Sequence, residues 1–357
     1  MNLSLKQLWA KSRRWLPGFL ISGFLIYILF RNVRFEDVAI AVQTIEPKFF
    51  LFAIGITVIS LVFKSFVWRS ILNLNVGLVD TFFIISQGYL LNNILPFKAG
   101  EVGRAVLMNQ KTGKGVMYMF SSIVIERAID IGFAAGLFLV TLPLTTQMES
   151  AQPFAILALS AVIAGFIALF IISRYHQAIS IRLKKWFSRW VWGSRVIFPR
   201  IQSFLDGFQV ITHPTQFLKI FFWSILTWSS WVMLYYVVLR AIAPEAPFWW
   251  GAFINGLLAL GAAVPSAPAG LGVYEASMVG ALTILNVDRA IAMAYAISMH
   301  LVQILMTGIF GSLGFMRNNI SISSLLRDKQ RVEEHPDVES VPIDKMTEVG
   351  KPNLIQR

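Results

Sequence analysis

Cysteine is absent from the 357 residues, which excludes disulfides, thiolate metal sites and cysteine nucleophiles, though it does not fix the compartment. Charge is scarce: 14% of residues are Asp, Glu, Lys or Arg, against 56% hydrophobic. A soluble domain carries about a quarter of its residues as charges, so a soluble chain of this composition would have nothing to clothe its surface. No GxxxxGK[ST] phosphate loop is present, which removes a nucleotide-driven pump of that type. Gly270-x-Gly272-x-x-Glu275 is only a fragment of a dinucleotide fingerprint and lacks a strand–helix–strand setting. No Asp-x-Asp pair exists to hold a metal with a sugar nucleotide. His176, His213, His300 and His335 are scattered, and His300, inside an apolar run, reads as a packed, hydrogen-bonded side chain rather than a metal ligand. No cofactor or metal is expected.

Long apolar runs are what the sequence does have. They cover 15–30, 49–68, 116–140, 154–172, 217–239 and 290–316, each close to the ~20 residues that a bilayer crossing requires. The expected fold is an all-α polytopic membrane bundle with about six full spans. Two more apolar stretches, 80–96 and 248–264, are broken by Pro96-Phe97-Lys98-Ala99-Gly100 and by the turn from Pro265 through Pro268, Gly270 and Gly272. Short helices are expected to follow at about 101–110 and 273–287. Lys6, Lys11, Arg13 and Arg14 precede the first run, but Arg31-Asn32-Val33-Arg34 follows it where a cleaved signal would show small residues. An uncleaved first span is expected. Ser12-Arg13-Arg14-Trp15-Leu16 resembles a twin-arginine signal, but no soluble, cofactor-sized segment follows it.

The net charge of +12 comes from 31 basic and 19 acidic residues. Residues 318–357 hold 6 and 7 of these, leaving 25 and 12 for the apolar region. The excess therefore sits in loops between spans, which points to membrane orientation and anionic lipid rather than to nucleic acid. If 80–96 and 248–264 do not cross, segments 1–15, 64–79, 97–115 and 173–216 carry 17 Lys and Arg, against 5 in 31–48, 141–153, 240–247 and 288–289. That bias places both termini in the cytoplasm and makes the interrupted stretches re-entrant hairpins, one entering from each side. The halves 49–140 and 217–316 then form an inverted repeat, whose broken segments are the sequence pointer to a transport site near the midplane. Ile179 to Trp192 reads as an amphipathic helix on the inner leaflet. Residues 1–317 form the membrane domain; the polar, near-neutral 318–357 are expected to be a disordered cytoplasmic tail.

An ionisable group at the centre of a membrane helix costs about 2.5–3.5 kcal/mol to insert, so each is a functional candidate. Glu126 and Asp130 lie one turn apart, with Arg127 three residues from Asp130. Two acids and one base call for another cation, from Arg104 or from a substrate. The alternative is a buried ion pair that locks the bundle. In the first hairpin Gly100, Glu101 and Arg104 open the returning helix, where exposed N–H groups attract phosphate and Arg104 would add a bidentate donor. Asn92 and Asn93 are placed to satisfy broken-helix backbone or a polar headgroup. Gly270, Gly272 and Glu275 are the counterparts in the second hairpin. For the glycines, turn formation and ligand contact are equally compatible with the pattern. Gly132-x-x-x-Gly136 reads as a helix-packing motif.

These motifs, Asn92-Asn93-Ile94-Leu95-Pro96 with Gly100-Glu101 and Arg104, Glu126-Arg127 with Asp130, and Pro265 through Gly270-Leu271-Gly272 with Glu275, resemble those of the lysylphosphatidylglycerol synthase transmembrane-region family. The resemblance to these flippase-like membrane proteins spans roughly residues 10–318. Members include the membrane part of bacterial multiple-peptide-resistance proteins, which moves aminoacylated phosphatidylglycerol between leaflets, and membrane halves of archaeal dolichol-phosphate glycosyltransferases. Neither transferase domain follows here, so the resemblance implies flippase activity without the synthase activity. The expectation is an inner-membrane protein that translocates a phospholipid or polyprenyl-phosphate-linked headgroup. Arg104 and the half-helix N-termini would hold phosphate, Glu101 and Glu275 would meet a cationic or hydroxylated headgroup, and Glu126, Arg127 and Asp130 would couple opening to pairing or protonation. The rivals are a membrane partner presenting a lipid-linked substrate to a separate glycosyl- or aminoacyl-transferase, and a secondary transporter of a small anion. The sequence leaves open the lipid, the driving ion and whether the chain forms a homo-oligomer.

Overall fold

The computed structural model describes residues 16–31, 35–43, 45–95, 98–145, 152–188, 197–262, 264 and 266–318. Among the described residues there is no strand, and the helices in order are α1 (Leu16–Phe30), α2 (Phe35–Gln43), α3 (Pro47–Leu72), α4 (Leu78–Ile94), α5 (Ala99–Thr112), α6 (Val116–Thr141), α7 (Gln152–Phe187), α8 (Phe198–Asp206), α9 (Pro214–Ile242), α10 (Trp249–Gly261), α11 (Val273–Ile284) and α12 (Arg289–Arg317). The expected tail lies, from residue 319, outside the described residues, as do Pro96 and Pro265.

Pro47–Leu72, Ile163–Phe187, Pro214–Ile242 and Arg289–Arg317 are long and apolar enough to cross a membrane. Two of the six expected spans fall short of that description for different reasons. The 26-residue α6 has the length, about 39 Å at 1.5 Å per residue, but carries Glu126, Arg127 and Asp130 within it. The 15-residue α1 is apolar but short. The fifth run and the first part of the expected surface helix are one helix, α7, which bends at Tyr175 (φ −109°, ψ 15°). Beyond that bend Ile181, Arg182, Lys184, Lys185 and Trp186 are exposed, while Trp190 and Trp192 fall outside the described residues.

Helix pairing carries the internal symmetry. If α3, α4, α5 and α6 are exchanged with α9, α10, α11 and α12, the set of packed pairs maps onto itself. The pair α4 with α12 becomes α10 with α6, α5 with α6 becomes α11 with α12, α3 with α4 becomes α9 with α10, and α3 with α9 becomes itself. The short helices join the pattern, since α2 packs on α12 and α8 on α6. The self-paired helices run antiparallel. Ser60 Oγ donates to Ser230 Oγ (3.1 Å), Phe66 stacks on Trp223 (4.2 Å between centroids), and Gln216 Nε2 donates to Asn73 Oδ1 (2.7 Å). Equivalent helices that run in opposite directions make the repeat an inverted one. Each half also lends its hairpin to the other half's last helix, so neither half's core is closed alone.

Those cross-repeat contacts are made by small residues. On α10, a Cβ added at Gly256 would sit 2.9 Å from Phe138 N and 3.1 Å from Ala134 O of α6. On α12, Gly311 lies against Ser86 O and Leu90 of α4, and Gly314 against Gln87. The packing motif expected at Gly132 and Gly136 is not used that way at Gly136, where an added Cβ meets nothing within 4 Å. Gly256→Ala is accordingly expected to cost about 1–3 kcal/mol, because the obstruction is backbone. Gly136→Ala should leave stability unchanged or raised, and thermal unfolding of the two detergent-solubilised variants checks the contrast.

One buried apolar cluster gathers Trp68, Ile85, Met108 and Met119 from the first half, and a larger one gathers Tyr235, Phe253, Met278 and Tyr295 from the second. Large apolar side chains on the outside, among them Leu51, Val140, Phe222 and Met316, are exposed, as a lipid-facing surface requires. The protein is a multi-pass membrane protein.

Candidate functional site

The first hairpin closes around two glycines. An added Cβ at Gly100 would collide with the Gly88 carbonyl oxygen and lie 2.6 Å from Asn92 Oδ1, and one at Gly88 would collide with the Arg104 side chain. Removing both Cβ atoms lets α4 and α5 touch and lays Arg104 across α4. The turn itself places Lys98 in the left-handed region (φ 52°) just before α5. Asn92 Oδ1 accepts from Gly100 N–H at 2.8 Å, satisfying one of the N-terminal donors of the broken helix. Asn93 Nδ2 donates to Thr307 Oγ1 of α12 (2.7 Å), tying the hairpin to the other half. Both asparagines therefore hold backbone and neighbours together.

Arg104 is fully buried. Its Nη2 donates to Glu126 Oε2 at 2.7 Å, its Nη1 reaches Glu101 Oε2 at 3.5 Å, and its guanidinium carbon lies 4.2 Å from the Trp68 ring centroid. Trp68 is fixed in turn by its Nε1–H donating to Ser122 Oγ (3.0 Å). Glu126, also fully buried, receives Lys64 Nζ at 2.9 Å and Arg127 Nη2 at 2.9 Å. Asp130 takes Lys64 Nζ at 2.7 Å, Arg127 Nη2 at 3.1 Å and Trp228 Nε1–H at 3.3 Å. The extra cation that the two acids required is thus supplied twice, by Arg104 and by Lys64.

Arg104 consequently differs from its expected role. Its guanidinium is bound to carboxylates and an aromatic face, and its remaining donor, Nε, is buried without a partner and out of a phosphate's reach. The accessible cations are Arg127, 37% exposed at its side chain, and Lys98, exposed and within electrostatic reach of Arg127 and Glu101. Lys64, Arg104, Arg127 and Lys98 face Glu101, Glu126 and Asp130, a net charge of one positive. Each buried ion costs several kcal/mol to desolvate, and only a network with every charge matched offsets that. The unmatched charge lies at the exposed rim.

At the outer end of this hairpin, Asp80 on α4 binds Lys111 Nζ of α5 (2.6 Å) and Arg317 Nη1 of α12 (3.1 Å). This clasp joins both arms to the last helix. Asp80→Ala is expected to leave Lys111 and Arg317 half-exposed without their carboxylate and to cost about 1 kcal/mol at low salt, less at high salt. Thermal unfolding at two ionic strengths measures it.

The second hairpin builds a separate site. Glu275 is the third residue of α11, as Glu101 is of α5. Its Oε2 accepts from Gly272 N–H (2.7 Å) and its Oε1 lies 2.6 Å from His300 Nδ1. His300 is the twelfth residue of α12, as Arg127 is of α6, so both halves set an acid at the start of the returning helix against a base on the next one. His300 Nε2 lies 2.9 Å from Ala269 O, and its ring stacks on Tyr274 at 4.1 Å. Gly270 and Gly272 hold positive φ (78° and 82°), and Gly272 also leaves room for Ser22 of α1, whose carbonyl oxygen would lie 2.7 Å from an added Cβ. The Pro268–Gly270 turn rests against α4.

The candidates thus divide into two groups. Asn92, Gly100, Glu101, Arg104, Glu126, Arg127 and Asp130 meet in one network; Gly270, Gly272 and Glu275 meet elsewhere with His300. Sequence reasoning missed Lys64 and Trp68, although a lysine inside the run 49–68 was the available signal. His300 is the hydrogen-bonded histidine expected, with a candidate acid as its partner.

The profile of the lysylphosphatidylglycerol synthase TM region matches residues 15–311. A UPF0104 membrane protein of Methanothermobacter thermautotrophicus is 27% identical over 304 residues, 78% of this chain and 86% of that protein. Another, from Methanocaldococcus jannaschii, is 22% identical over 237 residues, 63% of this chain and 92% of that protein. No solved structure matches.

Proposed function

Because the chain belongs to the lysylphosphatidylglycerol synthase TM-region family of membrane proteins, we propose that it moves a lipid with a phosphate-bearing headgroup between the leaflets of the inner membrane. The headgroup is that of a phospholipid or a polyprenyl-phosphate-linked lipid, and it passes without chemical change. One observation carries this reading. The charged network at the broken first hairpin keeps one uncompensated positive charge, on Lys98 and Arg127, at its accessible rim. A monoanionic phosphodiester supplies the missing charge. Arg127 offers directed donors, while Lys98 offers a mobile ammonium beside the start of α5. Glu101, 13% exposed at its side chain, would meet an amine or hydroxyl on the same headgroup; Glu275, expected to do the same, has both oxygens engaged by Gly272 N–H and His300. Arg104 keeps Glu126 and Glu101 in place.

The two hairpins act as re-entrant elements entering from opposite faces, with both termini in the cytoplasm. The inverted pairing of α3 with α9 and the basic bias of the segments assigned to the inside support that orientation. Lys64 and Arg104 leave that tally, since both lie buried within helices, and the bias survives their removal.

The test is reconstitution in liposomes with fluorescent anionic, aminoacylated and polyprenyl-phosphate lipids, measuring loss of leaflet asymmetry. Lys98→Ala is expected to slow movement of the transported class about tenfold, the loss of one charge-assisted hydrogen bond, with unchanged thermal stability because Lys98 is exposed. A wild-type rate in that variant overturns the assignment of the rim. No movement of any class by the folded wild type overturns transport and favours a partner that presents lipid to a separate transferase.

A further inference from the structure

The turn of the second hairpin is tied at both ends to one pair of titratable side chains. Ala269, a non-glycine at φ 61°, gives its carbonyl to His300 Nε2 (2.9 Å); Gly272, at φ 82°, gives its N–H to Glu275 Oε2 (2.7 Å). A left-handed conformation is costly for alanine and persists only where surroundings impose it. The proton count of the pair follows from its partners. A carbonyl oxygen only accepts, so Nε2 carries a hydrogen. Nδ1 and Oε1, 2.6 Å apart, then need one more proton between them, because two lone pairs at that distance repel. Whether that proton resides on imidazole or carboxyl, the pair is neutral overall.

We propose that Glu275 and His300 form a proton-binding site that latches the Ala267–Gly272 turn: with the bridging proton present the turn is held, and with it lost the turn is released. Loss of that one proton leaves neutral His300 beside the Glu275 carboxylate, with net charge −1 and a single N–H on the imidazole, which serves either Ala269 O or Glu275 Oε1 but not both. The turn, tied to α12 through both of these bonds, loses one of them, while Glu275 still accepts from Gly272 N–H. This deepens the transport reading and rests on it for its consequence: the bound ion is a proton, and its site is in the repeat opposite the phosphate rim.

The surroundings leave these two groups in charge of the exchange. Glu275 keeps 12% of its side chain exposed, a route for the proton, whereas His300 keeps 3%. Tyr274 stacks on His300, and next to Tyr274 lie Tyr235 and Tyr295, linked by Tyr295 Oη donating to Tyr235 O (2.6 Å). From α1, packed on α11, comes Tyr27, and α2, packed on α12, carries Glu36 and Asp37 in its first turn. From α3 comes Lys64, already bound to Glu126 and Asp130. On α4 the titratable groups are Tyr89, which lies within electrostatic reach of Lys64, Arg104 and Arg127, and Asp80. Asp80 is bound to Arg317, 17 residues and about 25 Å along α12 from His300. The α10 helix has no titratable residue.

Hydrogen exchange of the Gly270 amide, which donates to Ala267 O within the turn (3.0 Å), reads the latch in the purified full chain once corrected for intrinsic rate. Protection is expected to fall at least tenfold between about pH 5 and pH 9 in the wild type. Glu275→Gln replaces the bridging proton by an amide N–H that does not titrate, so its protection should be flat with pH. His300→Gln should lower protection at every pH. Flat protection in the wild type, or the same fall in Glu275→Gln, overturns the latch. In liposomes the lipid-movement rate should follow the same pH profile and lose its pH dependence in Glu275→Gln, whatever the absolute rate. Lipid movement that ignores pH in the wild type overturns the link to transport and leaves the transport reading standing. If no lipid moves at any pH, the transport reading falls and the exchange profile alone decides the latch.

Discussion

Replacing Glu126 by Ala is expected to lower the stability of the bundle by about 3–5 kcal/mol, the cost of stranding buried partners, and to abolish lipid movement. No other carboxylate in the network receives three cations so closely: Arg104 at 2.7 Å, Lys64 at 2.9 Å and Arg127 at 2.9 Å. Asp130 can still hold Lys64 and Arg127, but Arg104 would keep only the 3.5 Å contact to Glu101. A guanidinium with no exposed surface cannot find water instead. Glu126→Gln preserves shape and hydrogen bonding and should fall between the wild type and Glu126→Ala. Adding Lys64→Met to Glu126→Gln restores the original net charge and should recover part of the loss, a coupling that independent sites would not show. Thermal unfolding in detergent measures all four proteins. If Glu126→Ala lies within about 1 kcal/mol of the wild type, the network is not the buried, matched assembly described.

Gly100→Ala is the second large effect, expected at about 3 kcal/mol, the upper end for forcing extra volume into packed structure. The new methyl group meets the Gly88 carbonyl, which is backbone, and Asn92 Oδ1 at 2.6 Å, which is already bonded to Gly100 N–H. Neither neighbour can yield without parting α4 from α5. That parting would draw Arg104 away from Glu126, so loss of stability and loss of transport should arrive together. Gly280→Ala is the matching control. It lies within α11, an added Cβ there meets nothing within 4 Å, and the change should be neutral or stabilising by up to about 1 kcal/mol through helix propensity. Equal losses in the two variants would show that glycine is not needed for close approach at Gly100.

The hairpins were legible before the fold was known because breaks in apolar helices have local causes. Proline and glycine at 96–100 and 265–272 interrupt hydrogen bonding within a few residues of themselves. The pairing of Arg127 with Asp130 was legible for the same reason, since three residues of helix bring them together. Lys64 was not. It stands 62 residues before Glu126, and its position near the end of an apolar run matched a loop lysine equally well. The commitment of Arg104 to Glu126 instead of to a ligand was invisible for a related reason: it depends on Gly88 and Gly100 meeting face to face, a contact between two helices.

By itself the sequence determined the membrane-spanning class, the two broken segments and the inverted order of the halves. All of these follow from composition and short-range geometry, in which hydrophobic length and helical period fix what a segment can be. Only the tertiary structure decided which charges neutralise one another, which cations remain at the rim, and that each half closes its core on the other's hairpin. Charge matching in a medium of low dielectric is settled by distances of 3 Å across helices far apart in sequence, and no local pattern encodes those distances.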